Sequence, residues 1–183
     1  MNVVCYGDSN TYGFDPRSYL GDRYPADQRW PEILARQTGW TVINEGSNGR
    51  EIPTAAPKLP ANTDLLIVML GSNDLLQGRT AEQAADRMDR FLSCLSSEAY
   101  SVHLIAPPLM EWGAWVDNDT LIRQSERYTE SLKELAAQRN IGFSDAGMWQ
   151  IHLTFDGVHF TEEGHRLFAE GLGSDLKALT LYK

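Results

Sequence analysis

Ser9 stands in Tyr6-Gly7-Asp8-Ser9-Asn10, and Asp156 and His159 stand three residues apart in Asp156-Gly157-Val158-His159. A serine hydroxyl is a weak nucleophile until a nearby base takes its proton. Histidine can do this near neutral pH. A carboxylate on the other ring nitrogen fixes the tautomer and stabilises the imidazolium. The short spacing lets Asp156 reach the Nδ1 side of the His159 ring. An oxyanion formed by such an attack needs hydrogen-bond donors. Asn73, in Gly71-Ser72-Asn73-Asp74, offers an amide. Gly46, in Asn44-Glu45-Gly46-Ser47-Asn48-Gly49, offers a backbone N–H that no side chain shields.

These segments need strand ends to carry them. Apolar runs suited to buried strands lie at residues 3–6, 41–44, 65–70, 102–106 and 141–143. Helical patterns fill the intervals. Residues 30–38 have Pro31 in the first turn and Gly39 as a stop, and residues 80–95 open with Thr80 and Gln83 as a capping box. Residues 117–139 and 162–176 follow, the latter capped by Thr161. Strand and helix alternate throughout, which predicts an α/β fold with a parallel sheet covered on both faces. In such sheets the site lies at the carboxyl ends of the strands. Ser9, Gly46 and Asn73 each follow a predicted strand, and Asp156 and His159 lie in the last loop. Residues 17–28 read as a polar surface loop, and residues 50–63 hold three prolines and read as mostly irregular.

With these four segments in order, the chain resembles the SGNH, or GDSL-type, hydrolases over nearly its whole length. The resemblance implies a three-layer, flavodoxin-like α/β/α fold with about five parallel strands. It implies an esterase mechanism that uses no metal and no cofactor. Ser9 would be the nucleophile, His159 the base and Asp156 its orienting partner. The N–H groups of Ser9 and Gly46 and the Asn73 side chain would form the oxyanion hole. The Gly-x-Ser-x-Gly motif of larger α/β-hydrolases does not surround Ser9. Position 10 departs from the pattern, being Asn where Leu is usual. Asn10 either contacts substrate or caps a turn.

Further residues could line a substrate pocket. Trp112 and Trp115 lie on the loop after the fourth strand, where they either hold an acyl or alcohol group or seal a domain or subunit contact. Tyr12 and Phe14, just past Ser9, either flank the entrance or pack locally. Asp8 and Asp74 are expected to brace turns, and Arg50 to make a surface salt bridge. His103 and His165 are expected to be packing residues, whereas His152 is near enough to the last loop to line the pocket.

The predicted activity is hydrolysis of carboxylic esters through an acyl-enzyme, with short acyl esters of small alcohols or carbohydrates favoured. A thioesterase or lysophospholipase would use the same groups. A flavin- or nucleotide-binding module on the same sheet is the non-hydrolytic alternative. It leaves Asp156 and His159 unexplained, and Asp8 opposes a phosphate beside Ser9. A catalytically silent binding protein is a third class, and no triad member is missing.

The 183 residues suggest one domain, 1–183. A net charge of −9 with scattered basic residues disfavours nucleic-acid or membrane binding. The partner expected is therefore a small-molecule ester, and composition leaves the oligomeric state open. Cys5 and Cys94 read as small buried hydrophobes, with no disulfide or metal-ligand spacing. The first residues already read as a strand, so no signal peptide is expected, and a cytoplasmic location follows by default.

Overall fold

Every residue of Leu65–Met69 is buried, because this strand has helices on both sides. Successive side chains point to opposite faces of a strand. Leu66 and Val68 accordingly join Val4, Leu104, Met88, Phe91 and Leu132 in one core. Leu65, Ile67 and Met69 join Val3, Cys5, Trp30, Leu34 and Phe168 in the other. Each fully buried aliphatic side chain contributes about 1.5–3 kcal/mol relative to exposure.

The computed structural model describes residues 1–20, 22–96 and 98–180. Gly21, Ser97 and residues 181–183, parts of the expected loop and of the expected domain 1–183, lie outside the described residues. The elements are β1 Asn2–Gly7, α1 Ser9–Tyr12, α2 Trp30–Thr38, β2 Thr41–Gly46, β3 Leu65–Met69, α3 Ser72–Leu76, α4 Ala81–Ser93, β4 Ser101–Ala106, α5 Asp119–Arg139, β5 Gly142–Asp145 and α6 Glu162–Thr180. Two 3-10 turns lie at Ala26–Gln28 and Ala146–Trp149.

The five strands form one parallel sheet in the order β2-β1-β3-β4-β5. The fold is the three-layer α/β/α arrangement read from the sequence. Strand order reverses between β1 and β3, and the crevice at the carboxyl ends there is where open α/β sheets bind ligands. Ser9 follows β1 and Asn73 follows β3, so both lie at that crevice.

Local chemistry explains the helix ends. In α4, Thr80 Oγ1 accepts from Gln83 N at 3.3 Å and Gln83 Oε1 accepts from Thr80 N at 3.0 Å, completing the capping box. The helix α5 starts two residues later than its pattern suggests, because the Asn118 side chain caps it by accepting from Thr120 N and Leu121 N. Thr161 Oγ1 accepts from Gly164 N at 2.9 Å and caps α6. The short helices α1 and α3 replace expected turns. Two expectations are corrected. Tyr24, in the presumed surface loop, is 2% exposed, with its hydroxyl donating to Phe160 O. Cys94, placed in the core by its pattern, lies just past the end of α4 and is exposed.

Candidate active site

The chain after β1 turns straight into α1, with Ser9 as its first residue. Asp8 caps this helix, its Oδ1 accepting from Asn10 N at 3.0 Å. The Ser9 N–H points out of the first turn, where helix donors have no partner within the helix. Two residues before α6, the Asp156–His159 loop is folded on itself. Asp156 Oδ1 accepts from the backbone N–H of Val158 and of His159, both at 2.9 Å. That local ring explains why a three-residue spacing works. It leaves Oδ2 to meet His159 Nδ1 at 2.7 Å. His159 Nε2 then lies 2.9 Å from Ser9 Oγ.

The line is buried: Asp156 is 0%, His159 2% and Ser9 6% exposed. Burial alone would push the Asp156 carboxyl up. The hydrogen bonds from the His159 ring and from the two backbone N–H groups outweigh it and hold the carboxyl at about 2. An ionised carboxylate only accepts. Nδ1 of a neutral His159 therefore carries the proton, and Nε2 presents its lone pair to the Ser9 hydroxyl. Trp115 and Phe14 pack against the imidazole, each with ring centroids 4.9 Å from it.

Trp115 is brought there by backbone pairing. Glu111 N donates to Gly157 O, Ala114 N to Phe155 O and Trp115 N to Asp156 O. Gly157 has φ 81°, and a Cβ on it would overlap Glu111 O, so this contact requires glycine. Trp112, Trp115 and Phe155 remain 63%, 50% and 63% exposed, forming an apolar rim.

The candidate oxyanion donors behave differently from one another. Asn73 Nδ2 donates one hydrogen to Arg50 O at 3.1 Å, leaving its second hydrogen for a ligand. The Gly46 N–H is taken: it donates to Asn44 Oδ1 at 3.0 Å. A Cβ on Gly46 would overlap the Thr11–Tyr12 backbone. Gly46 is thus a packing glycine under α1, a correction to its expected role as an oxyanion donor. The turn that follows runs from Ser47, whose N–H donates to Gly7 O, to Arg50, whose N–H donates to Ser47 O. Gly49 sits in it at φ 68°, and no hydrogen bond engages its N–H among the described residues.

Asn10 reaches neither a substrate position nor the helix cap. It is 4% exposed and its amide bonds to Val158 O and Phe160 N. Tyr12 is half-buried, with the Arg23 guanidinium over its ring at 4.0 Å. Arg50 ties strand ends together instead of forming a surface salt bridge. Its Nη1 donates to the Gly7 and Glu45 carbonyls, and the guanidinium lies over Tyr6. Asp74 accepts from Ile52 N at 2.9 Å and meets Arg87 Nε at 2.9 Å, fixing the segment that carries Arg50. His103 is buried against Ser144 Oγ, His165 is buried between Tyr24 and Phe160, and His152 is exposed. A concavity of about 690 Å³ between α2 and α6, lined by Ile33, Arg36, Glu163 and Arg166, contains none of the candidate residues.

Comparison with known proteins gives this arrangement a context. A sequence model of the GDSL-like lipase/acylhydrolase family matches residues 5–167. A carbohydrate acetylesterase family member from Sinorhizobium meliloti superposes with a TM-score of 0.82 at 26% identity, covering 97% of each chain. The M. smegmatis aryl esterase superposes with a TM-score of 0.81 at 25% identity, covering 97% of this chain and 99% of that one. Among curated proteins, an N-acylneuraminate cytidylyltransferase from Streptococcus agalactiae is 27% identical over 135 residues, 68% of this chain. The match spans only 32% of that relative's length.

Proposed function

The chain belongs to the GDSL-like lipase/acylhydrolase family and is a carboxylic ester hydrolase, and on that footing we propose that Ser9, His159 and Asp156 form its catalytic triad. The observation that carries this reading is the buried line Ser9 Oγ–His159 Nε2 at 2.9 Å and His159 Nδ1–Asp156 Oδ2 at 2.7 Å. Ser9 Oγ attacks the ester carbonyl carbon as its proton passes to His159 Nε2. The C–O bond forms and the carbonyl electrons move to oxygen. The Ser9 N–H, the free Asn73 amide hydrogen and the Gly49 N–H hold that oxyanion. Asp156 stabilises the imidazolium. On collapse, the bond to the alcohol oxygen breaks and His159 returns the proton to it. Water repeats the sequence and releases the acid.

The substrate is a small-molecule ester with a short, acetyl-type acyl group on a small alcohol or a carbohydrate. Similarity to a carbohydrate acetylesterase family member supports this, as does the aromatic rim of Trp112, Trp115 and Phe155. Among the described residues no helix is long and apolar enough to cross a membrane. Hydrolysis of p-nitrophenyl acetate, butyrate and palmitate, of acetylated sugars, of a lysophospholipid and of an acyl-thioester tests the reading. Acetyl and butyryl esters are expected to be fastest. Faster turnover of palmitate at matched monomer concentration favours a lipase or lysophospholipase, and faster turnover of the thioester favours a thioesterase.

A further inference from the structure

We propose that Asn10 is a positioning residue for His159, and that its side chain does this by standing in for a β-strand. The proposal rests on the triad reading above. Asn10 Nδ2 donates to Val158 O at 3.0 Å and Asn10 Oδ1 accepts from Phe160 N at 2.9 Å. Val158 and Phe160 flank His159 on either side. In a parallel ladder a residue makes the same pair of bonds: its N–H donates to the residue before its partner and its C=O accepts from the residue after. A primary amide carries both functions in one plane. One side chain therefore gives the His159 segment strand-like support, in addition to the antiparallel backbone pairing in which Thr154 N donates to His159 O at 2.7 Å and Leu153 bridges Phe160.

The consequence is mechanical. Ser9 and His159 are 150 residues apart in sequence. Asn10 is bonded covalently to Ser9 and by two buried hydrogen bonds to the peptides around His159. Its own N–H is held by Asp8 Oδ1. The nucleophile and the base thus move as one body, and sliding the base loop breaks both bonds among buried groups. Leucine at this position cannot supply either bond and leaves Val158 O and Phe160 N buried without partners.

Two variants and the wild-type protein test this. Asn10→Leu removes both bonds. Asn10→Asp is isosteric, keeps the acceptor for Phe160 N and sets a second oxygen against Val158 O. For each, kcat and KM on p-nitrophenyl acetate, the melting temperature and the rate of Ser9 modification by an organophosphonate are measured. Both variants are expected to lose about 10–100-fold in kcat, the scale of a misplaced reacting group. KM should stay within about twofold, and the modification rate should fall in parallel with kcat. In the wild-type protein, the Phe160 amide hydrogen is expected to exchange slowly with solvent. Folded variants with wild-type kcat and modification rate overturn the proposal, and so does a loss confined to melting temperature. If Asn10→Leu does not fold, Asn10→Asp and the Phe160 exchange rate decide, and rapid exchange overturns it. A wild-type protein that is not modified at Ser9 overturns the triad reading and this proposal with it. A modified wild type with indifferent variants overturns this proposal alone.

Discussion

Trp115 meets His159 edge-on, with ring centroids 4.9 Å apart and planes at 83°. Phe14 also meets the imidazole, at 4.9 Å and 64°. Two aromatic rings thus contact the imidazole, and one of them, Trp115, is half exposed. Trp115 therefore packs on the ring with half of its surface free, the surface proposed to meet a ligand. Trp115→Ala should lower kcat/KM for aryl esters roughly tenfold, which corresponds to about 1.4 kcal/mol. The Asp156–His159 bond does not depend on Trp115, so activity should persist. Steady-state kinetics on p-nitrophenyl acetate checks this, and an inactive but folded variant contradicts it.

Asp156→Asn should impair turnover far more than binding. An amide in place of the carboxylate no longer forces the proton onto Nδ1, and the lone pair facing Ser9 is lost. The wrong tautomer in a serine-protease triad costs roughly 10⁴-fold in kcat, and a loss approaching that size is expected here. His159→Ala should be comparably slow. Near wild-type kcat in either folded variant is incompatible with the proposed roles.

Asn73→Ala should lower kcat by roughly 10²–10³, about 3–4 kcal/mol, with a much smaller change in KM. The Asn73 amide also holds Arg50 O, so melting temperature must be measured on the same sample. A stable, slow enzyme supports an oxyanion role, whereas a labile enzyme with full kcat assigns Asn73 to the turn alone.

Gly46→Ala and Gly49→Ala should separate packing from conformation. A Cβ on Gly46 meets the Thr11–Tyr12 backbone, so Gly46→Ala should displace α1 and cut both stability and activity. Gly49 has open space around it and φ 68°, so Gly49→Ala should cost only about 1–2 kcal/mol of stability and keep its N–H. Equal effects on melting temperature would reject the distinction.

Stability should respond to pH through two buried carboxyls of opposite sign. Asp156 is lowered from 3.8 to about 2, so its contribution is complete above 3.8 and is lost as pH falls through about 2. Asp8 is raised from 3.8 to about 6 by burial, against the pull of Asn10 N–H, His159 and Arg50. Its contribution is complete below 3.8 and is lost as pH rises through about 6. Asp8→Asn keeps an acceptor for Asn10 N and cannot ionise. Its stability relative to wild type should climb between pH 4 and 7 by on the order of 3 kcal/mol, at 1.36 kcal/mol per unit. Denaturant melts at several pH values measure this, and a constant difference across that window refutes it.

The approach of Asp156 to His159 was legible in the sequence because it is local, whereas the approach of Ser9 to His159 spans 150 residues. A strand end sets Ser9, and Asp156 Oδ1 gathers the N–H groups two and three residues ahead. The position of Asn73 near the carboxyl end of β3 was legible from the apolar run at residues 65–70 that precedes it. Short apolar runs located the strands, and caps such as Thr80 and Pro31 located helix starts. The short helices α1 and α3 were not readable, since four or five residues carry almost no periodicity. Nor were the roles of Gly46 and Asn10. The close approach of Gly46 to the Thr11–Tyr12 backbone depends on how α1 packs on β2, and the partners of Asn10 arrive from the far end of the chain. Both are tertiary facts with no trace in spacing.

The backbone bonds from Glu111, Ala114 and Trp115 to the 155–157 segment have an implication for anyone reshaping the enzyme. The loop that bears the aromatic rim is also the scaffold against which the segment carrying the proposed base, His159, is registered. Lengthening it, or grafting in a substitute, would transmit the change directly to Asp156. Selectivity and turnover are therefore not modular here. Side-chain exchanges at Trp112 can retune selectivity without turnover, whereas exchanges at Trp115, whose ring packs on His159, and insertions or deletions between the two will alter both.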